Sequence, residues 1–102
     1  MGKGEEFSPT DLVASALGSC ILTTMGIVAQ RKGIEFKSAT AEVTKEMTSL
    51  PERRIGKITV TIQMPRRLDE SQRAILEKAA LACPVHKSLN PAVETPITFN
   101  YL

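Results

Sequence analysis

The stretch SPTDLVASALGSCILTTMGIVAQRKG, Ser8 to Gly33, decides how the chain is read. It opens like a helix. Ser8 can accept from the amide three residues on, Pro9 suits the first helical position, and Asp11 sits where a capping-box acid reaches back. It closes like one too. Arg31 and Lys32 put cations at the end, and Gly33 follows as a left-handed stop. Between these signals Val13, Ala16, Leu17, Cys20, Ile21, Thr24 and Val28 recur at three- and four-residue spacings. This spacing predicts a helix from about Pro9 to Arg31 with those residues on its buried stripe. No charged residue lies between Leu12 and Gln30, which raises the transmembrane question. Ser15, Ser19, Thr23, Thr24, Gly18 and Gly26 argue against a span. Glu5, Glu6 and Asp11 stand where a signal peptide needs positive charge. The reading is a soluble helix buried on most sides, with no membrane partner.

Working outward, residues 1–7 have no periodic pattern and read as a loop. After Gly33, the stretch Ile34 to Met47 alternates Ala39, Ala41, Val43 and Met47 with polar residues. Ile55 to Met64 alternates Ile58, Val60, Ile62 and Met64 with Thr59, Thr61 and Gln63. Both have the period of strands, and Thr48 to Glu52 reads as the hairpin loop between them. Asp69 with Gln72 three residues on makes a capping box for a second helix. Its apolar stripe is Ile75, Leu76, Ala79, Ala80 and Cys83. Pro84 pushes Cys83 out of the helical region and starts a short new helix over Pro84 to Leu89. Val93 to Leu102, with Ile97, Phe99 and Tyr101 alternating, reads as a last strand, Pro96 suiting its edge or end. The order is α-β-β-α-β, an α+β chain with a single domain over residues 1–102.

With 102 residues, the chain has room for one domain and buries a modest share of its surface. The long uncharged helix needs more cover than two helices and three strands offer, so a homodimer is expected. The formal charge of +2 speaks against a nucleic-acid partner, which calls for clustered basic residues. Two cysteines are too few for a disulfide scaffold and have to be read one at a time.

Cys20 lies in the middle of the first helix with no cation near it along the chain. Its plainest role is a small apolar filler. Cys83, at the start of a new helix, faces amides and a positive dipole end, so local electrostatics favour it as the thiolate. Each sits on the apolar stripe of its own helix, so packing those stripes would bring them close. They could then form a redox pair. His86 makes a Cys-x-x-His spacing with Cys83, but a zinc site needs two more ligands, and no metal or other cofactor is expected. Arg53-Arg54 and Arg66-Arg67 are basic pairs at strand ends. They are either solvated ends or a source of positive charge for a thiolate or an anionic substrate. No phosphate loop or Ser-His-Asp motif is present in supporting context.

Residues 2–14, Leu17-Gly18-Ser19-Cys20, Arg53-Arg54-Ile55 and Ala82-Cys83-Pro84-Val85-His86-Lys87-Ser88-Leu89 resemble the OsmC-like family, which includes the organic hydroperoxide resistance proteins. The resemblance covers nearly the whole chain. It implies an intertwined homodimer with the long helix at its core, in the cytoplasm. It also implies a thiol-dependent peroxidase. Cys20 would be the peroxidatic thiolate, attacking an organic hydroperoxide to give a sulfenic acid. Cys83 would condense with it to a disulfide that a dithiol reductant reopens. This assignment reverses the local ranking of the two sulfurs. Family members carry a β-hairpin ahead of the residues matching Gly2 onward, and this sequence lacks it. The hydroperoxide-resistance branch draws its activating arginine from that segment and has a glutamate where this chain has Thr10, beside Asp11. Arg53 or Arg54, from the same chain or from the other subunit, is the expected substitute activator. The alternative within the same fold is a non-enzymatic module that binds a small apolar ligand at the dimer interface, with structural cysteines.

Overall fold

The computed structural model describes residues 8–101. The opening loop read over residues 1–7 lies outside them. Helix α1 spans Pro9–Lys32, with Ser8 as its N-cap: the Ser8 hydroxyl accepts from the Asp11 amide at 3.1 Å. Gly33 ends it at φ 68°, a conformation that costs glycine nothing. The Gly33 and Ile34 amides turn back to the carbonyls of Gln30 and Ala29, and Ile34 is buried against the helix it has just left. This docking delays the first strand. β1 is Thr40–Thr48 and β2 is Arg54–Met64, so β1 starts later than the alternation from Ile34 suggested. The two pair antiparallel, with one extra residue, Gly56, bulged out of β2 opposite Glu46 and Met47.

Helix α2, Glu70–Ala80, carries both halves of the Asp69–Gln72 capping box. Helix α3, Pro84–Ser88, has Cys83 as its N-cap. Strand β3, Ile97–Tyr101, lies parallel to β2, giving the sheet order β1-β2-β3. It is shorter than the alternation from Val93 promised, because Pro96 has no amide to give the ladder. The carbonyls there still serve: Glu94 and Pro96 accept from the Ile58 and Val60 amides at 2.8 and 2.9 Å. At the far end the Tyr101 hydroxyl donates to Glu77 of α2, and the Arg73 guanidinium stacks 4.0 Å from the Tyr101 ring centre. Burial and the Glu77 carboxylate both push the Tyr101 hydroxyl far above its ordinary value, so it stays a proton donor throughout the physiological range. The α-β-β-α-β order therefore holds, with α3 as the short extra helix, and the chain is an α+β fold.

The core is the inward side of β2 (Ile58, Val60, Ile62, Met64) covered by α1 and by Leu76, Ala79, Ala80 and Cys83. α1 packs on α2, on β1 and on α3. Its buried line is Ala14, Leu17, Gly18, Ile21, Met25 and Ala29. That line is rotated from the expected stripe: Ala16 is exposed, while Val13, Cys20, Thr24 and Val28 are half-buried. The reason is composition. A helix with almost no charge has little amphipathic asymmetry, so spacing could not point to its inner face. Leu12 and Ile27 remain 53% and 47% exposed on the outer face. By length and composition α1 could cross a membrane, but here α2, α3, β1 and β2 pack on it.

Gly18 sets the distance between α1 and β1. A Cβ at Gly18 would stand 2.8 Å from Val43 Cγ1 and 3.6 Å from Ala41 Cβ. Alanine at this site should gain about 1 kcal/mol of helix propensity but lose about 1–3 kcal/mol to overpacking. Gly18→Ala is expected to lower the thermal midpoint by several degrees. Adding Val43→Ala should recover part of that loss, because it removes the clashing methyl groups.

Candidate functional site

The site is made where α1 passes the start of α3. Pro84 at the first position of α3 has no amide and holds Cys83 extended, at φ −62° and ψ 124°. Cys83 is fully buried, and its Sγ accepts from the His86 amide at 3.4 Å. Cys20 is half-buried on α1, one turn before Thr24, whose hydroxyl oxygen is 3.9 Å from Cys20 Sγ. Packing α1 against α2 and α3 brings the two cysteines, far apart in sequence, into direct interaction.

The charge is divided unequally between them. Burial alone would raise the Cys20 thiol. Hydrogen bonds from the Cys83 thiol, the Val85 amide and the Thr24 hydroxyl outweigh it and leave Cys20 below its ordinary value. Cys83 goes the other way. Burial raises it, and donation of its own proton to Cys20 raises it again, more than the His86 and Val85 amides can offset. Of the two sulfurs, Cys20 is the one whose surroundings favour the charged form. Local electrostatics alone pointed to Cys83. That reading correctly placed a helix start beside a sulfur. It did not place the α1 sulfur within reach of the same amides, nor count the full burial of Cys83.

The arginine pairs are elsewhere. Arg54 donates from Nη1 to the Ile55 carbonyl at 3.0 Å and from Nη2 to the Leu50 carbonyl at 3.5 Å, bracing the β1–β2 hairpin. Arg53 is exposed in the same loop, and Arg66 and Arg67 are exposed after β2. None of these is among the groups that set the Cys20 charge within one chain. His86 is half-buried, with Nε2 2.8 Å from the Thr95 hydroxyl, which ties α3 to the segment before β3. Among the described residues no three His, Cys, Asp or Glu side chains gather as a metal site would require.

Sequence reasoning passed over Thr24, Val85 and Lys45. Thr24 was visible in principle, lying one turn from Cys20. Lys45 falls on the half-buried side of β1 with Val43 and Met47, a charge where the alternation calls for an apolar residue. Its Nζ is 2.9 Å from Asp11 Oδ1 and 2.8 Å from the Thr10 hydroxyl, so β1 is strapped to the first turn of α1. Hydrogen bonds from Lys45 and Ser8 hold the Asp11 carboxyl below its usual range.

A helix-borne cysteine paired with a Cys-Pro helix start, on a three-stranded sheet of this order, defines a class. The OsmC-like protein family model matches residues 2–98, and the chain belongs to that family. Solved structures agree. One assigned to osmotic stress induction and the detoxification response, from Psychrobacter arcticus 273-4, is 42% identical with a TM-score of 0.87, over 95% of this chain and 70% of that one. The organic hydroperoxide resistance protein OhrB of Bacillus subtilis is 22% identical, TM-score 0.75, over 90% and 69%. An organic hydroperoxide resistance protein from Elizabethkingia anophelis is 16% identical, TM-score 0.79, over 94% and 69%; at these identities this structure and that of OhrB bear on the fold alone. No curated protein matches the chain.

The hydrogen bond from Cys83 should be separable from its size. Hydrogen bonds to charged groups contribute about 1.5–3 kcal/mol, so Cys83→Ala should slow alkylation of Cys20 at neutral pH by about tenfold or more. Cys83→Ser, which keeps a donor, should leave the rate close to that of the parent. Mass-spectrometric iodoacetamide kinetics would read both.

Proposed function

We propose that this chain is a thiol-dependent peroxidase of the oxidative stress response that reduces organic hydroperoxides. The observation that carries the reading is the meeting of the two cysteines where α1 packs on α3, Cys20 half-buried on the helix and Cys83 buried at the α3 start; the lowered Cys20 thiol supports it. A thiolate is the nucleophile, and one with a second thiol beside it can hand on its oxidation state. The Cys20 thiolate attacks the distal oxygen of the hydroperoxide. The O–O bond breaks, Cys20 becomes a sulfenic acid, and the alkoxide leaves and takes up a proton as the alcohol. The Cys83 sulfur then attacks the sulfenic sulfur. Its proton and the sulfenic hydroxyl leave as water, and a Cys20–Cys83 disulfide remains. A dithiol reductant reopens that bond by exchange and carries away the two oxidising equivalents.

The working unit in this reading is a homodimer in the cytoplasm. The uncharged outer face of α1, with Leu12 and Ile27 half exposed, is the surface a second copy would cover. Arg53 or Arg54 of that second copy is the proposed source of the activating cation. The fold's membership of the OsmC-like family and the 42% identical detoxification-response structure support the same role.

Titration of the reduced protein with cumene hydroperoxide, followed by mass spectrometry, tests the chemistry. The expected product is one intramolecular disulfide per chain, with Cys20→Ser losing turnover altogether. Two free thiols persisting under excess hydroperoxide would overturn the assignment. Arg53→Gln and Arg54→Gln should each slow the oxidation of Cys20 if that residue is the activator.

A further inference from the structure

Away from the thiol pair, we propose that the niche between the last turns of α1 and the loop leading to β1 binds a free aromatic α-amino acid. The niche has a volume of about 460 Å³, within the range of about 300–1,000 Å³ usual for small-molecule sites. Ala29 and Ile34 are buried at its floor, the half-buried Phe36 lines it, and the exposed Glu35 and Lys37 stand at its rim. At about 100° per residue, Ala29 is half a turn round α1 from Cys20, so the niche opens on the side away from the thiols.

Two glycines keep the niche open. Gly33 ends α1 in the left-handed region, and a Cβ there would meet nothing within 4 Å. Gly26 has no such conformational reason. Glycine is a poor residue inside a helix, and a Cβ at Gly26 would meet only Phe36 Cδ2, at 3.9 Å, an ordinary contact. Gly18 on the same helix is different, since Val43 leaves it no room for a side chain. The bare Cα of Gly26 therefore leaves space against the Phe36 ring that nothing in the chain fills. A second flat ring suits that space, because offset-stacked or edge-to-face rings attract one another beyond the area they bury.

The rim sets the rest of the ligand. Glu35 and Lys37 flank Phe36 with opposite charges, and among the described residues neither makes an ion pair. An aromatic hydrocarbon would leave both charges unused, and an aromatic acid or amine would leave one. An aliphatic amino acid would use the charges and leave the Phe36 ring bare. An aromatic α-amino acid meets all three, its ring against Phe36, its ammonium toward Glu35 and its carboxylate toward Lys37. This binding does not depend on the peroxidase reading and is tested without a peroxide.

The chain has no Trp, so added L-tryptophan can be followed by its own fluorescence anisotropy. Titration with the reduced full chain is expected to raise that anisotropy saturably, with a Kd below about 1 mM. Tryptamine and indole-3-propionate, each short of one charge, should bind about two- to fivefold more weakly, the range for one exposed charge pair. Glu35→Gln should cost L-tryptophan the same factor and leave indole-3-propionate unchanged. Lys37→Gln should cost it likewise and leave tryptamine unchanged. Gly26→Ala should raise the thermal midpoint while weakening binding, and Gly26→Leu, which fills the niche, should abolish binding. Absence of saturable binding, the result expected if a second copy of the chain covers the niche, would overturn the proposal. So would charge variants that leave L-tryptophan unaffected or weaken all three ligands alike. Disulfide formation in the peroxide titration would stand or fall separately.

Discussion

The contact of α1 with the start of α3 is the constraint on which the site depends. Every group that lowers the Cys20 thiol, apart from Thr24 on its own helix, comes from Cys83 or from the α3 backbone. A shift of α1 by a turn would strand Cys20 among apolar neighbours, where burial alone governs a thiol and raises it. The interaction is also asymmetric in a useful way. The surroundings lower the Cys20 thiol and raise the more deeply buried Cys83 thiol. On the proposed reading the nucleophile is Cys20, the less deeply buried residue of the two.

The rest of the fold holds that crossing in place. Gly18 lets α1 approach β1 closely, and Lys45 ties the same strand to Thr10 and Asp11 at the helix start. The inner side of β2 supplies the fully buried Ile58, Val60 and Ile62 beneath the helices. Tyr101 with Glu77 and Arg73 fastens the last strand to α2, and His86 with Thr95 fastens α3 to the segment leading into that strand. The helix pair that carries the cysteines is therefore clamped from both ends of the sheet. One side of α1 remains apolar and open, and on the proposed reading this is where a second copy packs.

Much of this was legible in the sequence, for identifiable reasons. Helix ends were read well because their signals are local: Ser8, Gly33, the Asp69–Gln72 box and the Pro84 start each act through backbone geometry within a few residues. Strand alternation over Ile58 to Met64 was equally clear because one face is fully buried. Three things were not legible. The inner face of α1 was hidden by its lack of charge. The start of β1 depended on Ile34 folding back on α1. The ranking of the two sulfurs depended on an amide, Val85, that sequence assigns to its own helix but tertiary packing directs at Cys20. The resemblance to the OsmC-like family implies Cys20 as the peroxidatic thiolate, and the lowering of the Cys20 thiol by its neighbours supports that proposal.

Thiolate absorbance in the two single-cysteine variants, followed against pH, tests that cause most directly. Cys83→Ser retains only the Cys20 thiol, and Cys20→Ser only the Cys83 thiol. The account predicts that Cys20 titrates below the ordinary thiol value and Cys83 above it. Cys83 titrating at the lower pH, or both at the ordinary value, would contradict it.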